Sequence, residues 1–329
     1  EHAIDWLDTR DEEQPFFMYL SHKAVHSQFE PAERHLGQYE EQEIIYPPSY
    51  EVPLYGTPPQ PSSGADGEPL RGREYYGESR TPDWVKQQRE SWHGVDYMYH
   101  GRIDFEEFFH RYTETLMGID ESVGAVLDYL DANDMAEDTL VIYMGDNGFS
   151  FGEHGLIDKR HFYEESAKVP LLVRWPERFS GGAPIGALVQ NIDIAPTILE
   201  AAGLQMPAHM HGMSMTPLLN RQDTAWRDRI FYEYYWERSF PQTPTMFGVR
   251  TDRYKYIRYH GIWDTNEFYD LQNDPNEMQN LIDSPEHQQR IEGFANDIYQ
   301  WLESTDGMNI PLKNVVRPKF GDHRNQGIL

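Results

Sequence analysis

Cysteine is absent from this chain of 329 residues. Disulfide staples, thiolate metal sites and a cysteine nucleophile are therefore excluded within it, and the redox compartment is left undetermined. Basic residues are scarce: 28 Lys and Arg stand against 55 Asp and Glu, a formal net charge of −27. That balance argues against nucleic acid as a partner, because a phosphate backbone needs Lys and Arg to replace its counterions. It also gives no general steering to anionic substrates, so any anion site must be local and shielded. Solubility in a salty or extracellular setting accounts for the charge. No apolar run is long enough to span a membrane, so no membrane contact is expected. No signal peptide opens the chain, which starts with Glu1 inside a stretch that reads as a helix. It is expected to be part of something longer, and its oligomeric state is left open.

What is present is aromatic bulk. Phe, Trp and Tyr make up 14% of residues, enough for a sizeable core in one large domain with an appendage, or in two domains. Residues 2–9 read as the tail of an amphipathic helix, and PFFMYL, from Pro15 to Leu20, as a compact aromatic strand. From Pro47 to about Arg80 the chain is crowded with Pro, Gly, Ser and Tyr and reads as a long surface loop. Apolar residues then recur at helical spacing from Phe105 to about Asn133, at Phe109, Tyr112, Leu116, Ile119, Val123, Val126, Leu127 and Leu130. A strand at Leu140–Met144 follows, an α-then-β crossover of the parallel-sheet kind. A second unit repeats the alternation, with a strand at Pro170–Trp175 and a helix at Ile194–Ala202 stopped by Gly203. After about Ala225 the runs RIFYEYYW, MFGVRTDRYKYIRYH and NEFYDLQNDP predict a small antiparallel sheet, with a helix from about Pro285 to Leu302 to cover it. The fold class is therefore α/β, with residues 1–225 as one domain and 226–329 as an α+β subdomain.

Most of the candidate chemistry lies between Leu140 and Pro176, in LVIYMGDNGFSFGEHGLIDKRHFYEESAKVPLLVRWP. Ligands of open α/β sheets bind at the carboxyl ends of strands, where Asp146 and Asn147 would stand. The pair offers only oxygen, which suits a hard cation such as Ca²⁺ or Mg²⁺ better than zinc. Asp, Asn and Gly equally make a tight turn, while glycines on both sides would let the backbone approach an ion. Lys159 could act as a point charge on an anionic group, or be a solvated surface lysine. His154 and His161 flank it. His26, in the loop after PFFMYL, could donate to an anionic ligand or protonate a leaving oxygen, with His22 and Lys23 competing for that role.

The segment SHKAVHSQFEP, the GDNG pair, the EHGLIDKR loop with PLLVRWP behind it, and IDIAPTILEAAG with HGMSMTPLL together resemble the formylglycine-dependent sulfatases. The likeness continues through YEYYWERSFPQTPTMFGVRTDRYKYI and EFYDLQNDPNEMQNLI and covers residues 12 to 302. It is greatest to bacterial carbohydrate sulfatases, including those acting on N-acetylglucosamine 6-sulfate. The resemblance implies an alkaline-phosphatase-like mixed sheet flanked by helices, with a C-terminal subdomain of antiparallel sheet and helix. It implies a sulfated sugar or polysaccharide as substrate and a periplasmic or extracellular location. Asp146 and Asn147 match the family's second pair of calcium ligands. Lys159 matches the lysine on the sulfate and leaving oxygen, and His26 the histidine that binds sulfate and acts as general acid. His154 matches a histidine near the substrate. His93, His100, Trp236 and Arg238 lie in segments that are candidate sugar contacts.

The departure from the family is as informative. Its nucleophile, a Cys or Ser matured to formylglycine, lies in a Cys-or-Ser, x, Pro, Ser-or-Ala, x, Arg motif that does not occur here, and neither Ser239 nor Ser284 has the required neighbours. The first aspartate pair of the calcium shell and the early Lys/His pair are also missing. The formylglycine is expected upstream of Glu1, so the chain would be the C-terminal two-thirds of a sulfatase. A Ca²⁺ ion wants about six to eight oxygens, which leaves its site incomplete in this chain. The 329 residues alone are expected to be inactive. The alternatives are a phosphoester hydrolase of the same superfamily and a non-catalytic carbohydrate-binding relative.

Overall fold

A computed structural model describes residues 1–50, 81–96, 104–182 and 184–309. Helix α1 (His2–Thr9) opens the chain, and a short helix α2 (Asp83–Arg89) precedes the long helix α3 (Phe105–Ala132). The side chain of Asp104 accepts the Glu107 backbone N–H at 2.7 Å, and Glu106 and Glu107 occupy the first turn, so both cap and dipole fix the start of α3 at Phe105. Of its expected apolar stripe, Ile119 and Leu130 are buried, whereas Phe109, Tyr112, Val123, Val126 and Leu127 are half-buried.

The next layer departs from expectation. Strand β1 (Val141–Met144) pairs with β2 (Leu171–Arg174) in an antiparallel ladder, Val141 opposite Arg174 and Met144 opposite Leu171. Between them the chain makes only a 3₁₀ turn and the one-turn helix α4 (Glu164–Ala167). It carries no crossover helix, so it returns to the end it left and β2 runs back along β1. PFFMYL forms no strand. No described segment offers it a hydrogen-bonding edge, and Tyr19 is 83% exposed. Helix α5 (Ile194–Ala201) ends as expected, with Gly203 in the left-handed region at φ +68°. A single turn, α6 (Thr216–Leu219), leads into the C-terminal half.

There the pattern holds closely. Strands β3 (Arg229–Tyr234), β4 (Thr245–Thr251), β5 (Tyr254–His260) and β6 (Glu267–Asp270) form one antiparallel sheet in chain order. Alternation sends Phe247, Val249, Tyr256 and Phe268 to one face, where they meet Ile291, Phe294, Ile298 and Leu302 of helix α7 (Gln288–Ser304). Met246, Ile257, Tyr259 and Tyr269 point to the other face and pack on Leu156, Phe162 and Tyr163. The sheet core thus extends across residue 225 into the loop after β1. A Cβ on Gly248 would lie 2.2 Å from the Phe162 ring, which is why β4 carries glycine there.

That second face also holds charge. Glu267, wholly buried, accepts hydrogen bonds from the hydroxyls of Tyr163 at 2.7 Å, Tyr259 and Tyr269. Burial pushes its carboxyl up to about 7, against the pull of the three tyrosines. Folding therefore favours the protonated form. The stability this contributes is full below the ordinary glutamate range and is lost as pH rises through about 7. At about 1.4 kcal/mol per unit the shift corresponds to about 3 kcal/mol. His154 and His161, pushed down by burial, act in the opposite sense, so the informative quantity is a difference between proteins. Glu267→Gln is expected to remove that part of the stability loss between pH 5 and pH 8 in urea unfolding. Parallel pH profiles for the two proteins would refute the assignment.

Candidate active site

The loop leaving β1 is held against its own return. Gly145 N donates to Pro170 O at 3.3 Å, Gly148 N to Ser166 O at 2.9 Å, and Ser150 N to Asp158 O at 2.8 Å. These bonds set Asp146 and Asn147 at the strand end and Lys159 next to the residue that Ser150 contacts. Asp146 is exposed, and its Oδ1 accepts Asn147 N at 2.9 Å. The Asn147 amide donates from Nδ2 to Gly148 O at 2.6 Å. Asp146 Oδ2 and Asn147 Oδ1 remain without a protein partner among the described residues. Two unpartnered oxygens fit part of a calcium shell and cannot fill it. Gly148 also serves close backbone packing: a Cβ there would lie 2.0 Å from Glu165 O.

Lys159 is half-buried, and its side chain makes no ion pair or hydrogen bond among the described residues. The neighbouring carboxylate is already committed. Asp158, 1% exposed, accepts from Gln88 Nε2 at 2.6 Å and pairs with Arg160. Burial works to raise the Asp158 carboxyl, but His93, Arg160 and His161 together hold it low. Thr243 Oγ1 donates to Gln88 Oε1 at 2.9 Å, so helix α2 and the β3–β4 connection are tied to the Lys159 segment. The Arg160 guanidinium lies 3.3 Å from the Phe240 ring centroid.

The His93 ring meets the same Phe240 at 5.4 Å, and burial lowers its pKa. Trp236 is half exposed on the connection that carries Phe240, with its Nε1 donating to Pro241 O at 3.3 Å. Arg238 is exposed on that connection. His93, Lys159 and the Trp236–Phe240 connection therefore belong to one neighbourhood, whereas His100 lies outside the described residues, as does most of the Pro47–Arg80 loop.

His26 is exposed, with Nδ1 against Ser27 O at 2.8 Å and no hydrogen bond at Nε2 among the described residues. No hydrogen bond or ring contact among the described residues joins it to Asp146 or Lys159. Its competitor His22 is engaged, with Nε2 2.8 Å from Ser122 Oγ on α3. His154 turns inward. It is 4% exposed, stacks on Tyr163 at 3.9 Å, and burial pushes its pKa down to about 3. There it faces Glu165 and Glu277, and the three residues form a candidate metal-binding group. Asp158 and Arg160 had no signal beyond their proximity to Lys159, and Gln88, far off in sequence, had none. Glu165 was not singled out by the sequence.

The fold is of the alkaline-phosphatase-like class. A multifunctional alkaline phosphatase superfamily protein of Trinickia caryophylli is 26% identical over 321 residues, covering 92% of this chain and 58% of its own length. More narrowly, the chain belongs to the sulfatase family. A family model described as Sulfatase matches residues 1–204, and one described as N-sulphoglucosamine sulphohydrolase, C-terminal, matches residues 152–303. An N-acetylglucosamine-6-O-sulfatase of Bacteroides thetaiotaomicron is 29% identical over 338 residues, covering 92% of this chain and 60% of the relative. A structure solved in complex with its substrate, D-glucosamine-2-N,6-O-disulfate, superposes with a TM-score of 0.75 at 26% identity, covering 94% of this chain and 69% of that one. The chain thus spans about 60% of the length of the curated relatives it matches.

Proposed function

We propose that the protein containing this chain hydrolyses the sulfate ester of a sulfated sugar, with glucosamine 6-sulfate units as the substrate class. The observation that carries this reading is Lys159, a half-buried cation without a carboxylate partner among the described residues, on the segment bonded to the Asp146–Asn147 loop. An unpaired lysine in that position is free to hold a sulfate oxygen and the bridging oxygen of the ester. His26, through Nε2, delivers a proton to the sugar oxygen as the S–O bond breaks. Asp146 and Asn147 supply part of the shell of a Ca²⁺ ion, which when bound neutralises sulfate charge. Trp236, Arg238 and His93 are suited to the sugar, the indole by its exposed face. The residues present do not supply the nucleophile. Sulfated polysaccharides are met outside the cytoplasm, which supports a periplasmic or extracellular location for the protein.

The test is sulfate release from N-acetylglucosamine 6-sulfate by the protein containing this chain, with p-nitrophenyl phosphate as competitor substrate. Turnover is expected on the sulfate, to fall on chelation and to return with Ca²⁺, while the 329 residues alone give none. Preference for the phosphate would assign the protein to phosphoester hydrolysis. Sugar binding without turnover by the whole protein would assign it to the carbohydrate binders.

A further inference from the structure

Away from the Asp146–Asn147 loop, three side chains converge in the interior. One ligand atom from each of His154, Glu165 and Glu277 lies within 4.8 Å of the others. Among the described residues, the buried His154 Nε2 and Glu165 Oε2 accept or donate no hydrogen bond, while Glu277 meets the Lys255 ammonium through Oε1 and accepts the Glu164 backbone N–H through Oε2 at 2.7 Å. His154 and Glu277 are 4% and 2% exposed, so water from bulk does not satisfy them. Their backbones are unusual too: His154 at φ +54° and Glu277 at φ +52° hold non-glycine residues in the left-handed region.

The charges around the cluster do not balance. Lys255 Nζ lies 2.8 Å from Glu164 Oε1 and 2.8 Å from Glu277 Oε1, and Arg250 forks onto Glu164 at 2.9 and 3.1 Å. Two cations therefore serve Glu164 and Glu277, and the third carboxylate, Glu165, has none among the described residues. Glu165 also lines a cavity of about 280 Å³ with Glu153, Phe151, Phe105, Tyr46 and Asn276, which gives an ion a way in.

We propose that His154, Glu165 and Glu277 form a second metal site that takes a divalent ion of the zinc class, with water completing the shell. One imidazole nitrogen and two carboxylate oxygens are zinc-type donors, unlike the oxygen-only pair at Asp146 and Asn147. Ligands held ~2.0–2.1 Å from zinc lie about 3.4 Å apart in a tetrahedral shell, so a modest contraction of the cluster, led by the half-buried Glu165, completes the site. Two ligands come from the loop between β1 and β2, and Glu277 from the turn after β6. The ion would staple that loop to the C-terminal sheet. This is independent of the proposed sulfate chemistry.

The experiment is calorimetric titration of metal-stripped chain with Zn²⁺ in excess Ca²⁺, with Co²⁺ absorption as a second readout. One equivalent of Zn²⁺ is expected, with a rise in unfolding midpoint and a visible Co²⁺ band of tetrahedral intensity. Glu165→Gln is expected to weaken binding at least tenfold and to abolish the midpoint rise. Glu165 is half-buried and unpaired among the described residues, so this variant is the one that should fold; Asp146→Asn should leave Zn²⁺ binding unchanged. No Zn²⁺ binding by the folded wild-type chain, or binding that Glu165→Gln leaves intact, overturns the proposal.

Discussion

Replacing Lys159 with alanine in the protein that contains this chain is expected to lower kcat/KM for the sulfated sugar by about 10²–10³-fold, the usual consequence of removing one preorganised charge at a reacting oxygen. Its unfolding midpoint should stay within the small range typical of contact-free positions. The separation of the two effects follows from the local pairing. Asp158 is satisfied by Gln88 and Arg160, so the Lys159 ammonium supports no structural ion pair among the described residues. Lys159→Arg is not expected to restore full activity, because a planar fork presents its donors differently from a point charge. Arg160→Met is the contrasting case: it strips Asp158 of its cation and should lower stability. Alanine at Lys159 that leaves turnover intact would remove the residue from the reaction.

The parts of the fold that could be read from the sequence are those where one physical signal acts alone. Helix α3 starts at the residue after its aspartate cap, and α5 ends before a glycine at positive φ. Strands β3 to β6 kept their period-2 pattern because α7 and the 156–163 segment each cover one face. β1 and β2 read as parallel strands because an apolar run of four residues does not encode its partner's direction. PFFMYL read as a strand from composition, but a strand requires a neighbouring edge.

The same limit applies to the site. Asp146, Asn147 and Lys159 could be picked as candidates because they are close in sequence and in a recognisable order. Gln88 and Asp158 are 70 residues apart, and their bond is visible only in three dimensions. Lys255 alternates with Ile257 and Tyr259 on a buried face, where a lysine looks like an error in the pattern until its two carboxylates are seen.

Lys255 is where the largest stability effect is expected. Its side chain is 0% exposed; the ammonium reaches Glu164, Glu277 and the carbonyl of Phe162 at 2.8 Å each. Lys255→Met keeps the aliphatic stem beside Phe162 but removes the charge, and is expected to destabilise the chain by about 3–5 kcal/mol, the range for breaking a buried pair. Glu164 retains Arg250 as a partner, so the deficit falls mainly on Glu277. Burial already pushes the Glu277 carboxyl up, and loss of Lys255 pushes it further. At low pH the stranded carboxyl takes a proton and the deficit shrinks; as pH rises through its folded pKa the deficit grows. Adding Glu277→Gln to Lys255→Met removes the ionisable group and should recover more than half of the loss at pH 8, with a flatter pH dependence. Urea unfolding of the two variants at pH 5 and pH 8 measures both quantities. If Lys255→Met alone matched the wild-type midpoint at pH 8, the ion pairs at this junction would contribute nothing. In that case the apolar cluster of Phe162, Ile257 and Tyr259 would by itself hold the sheet to the loop that carries Lys159.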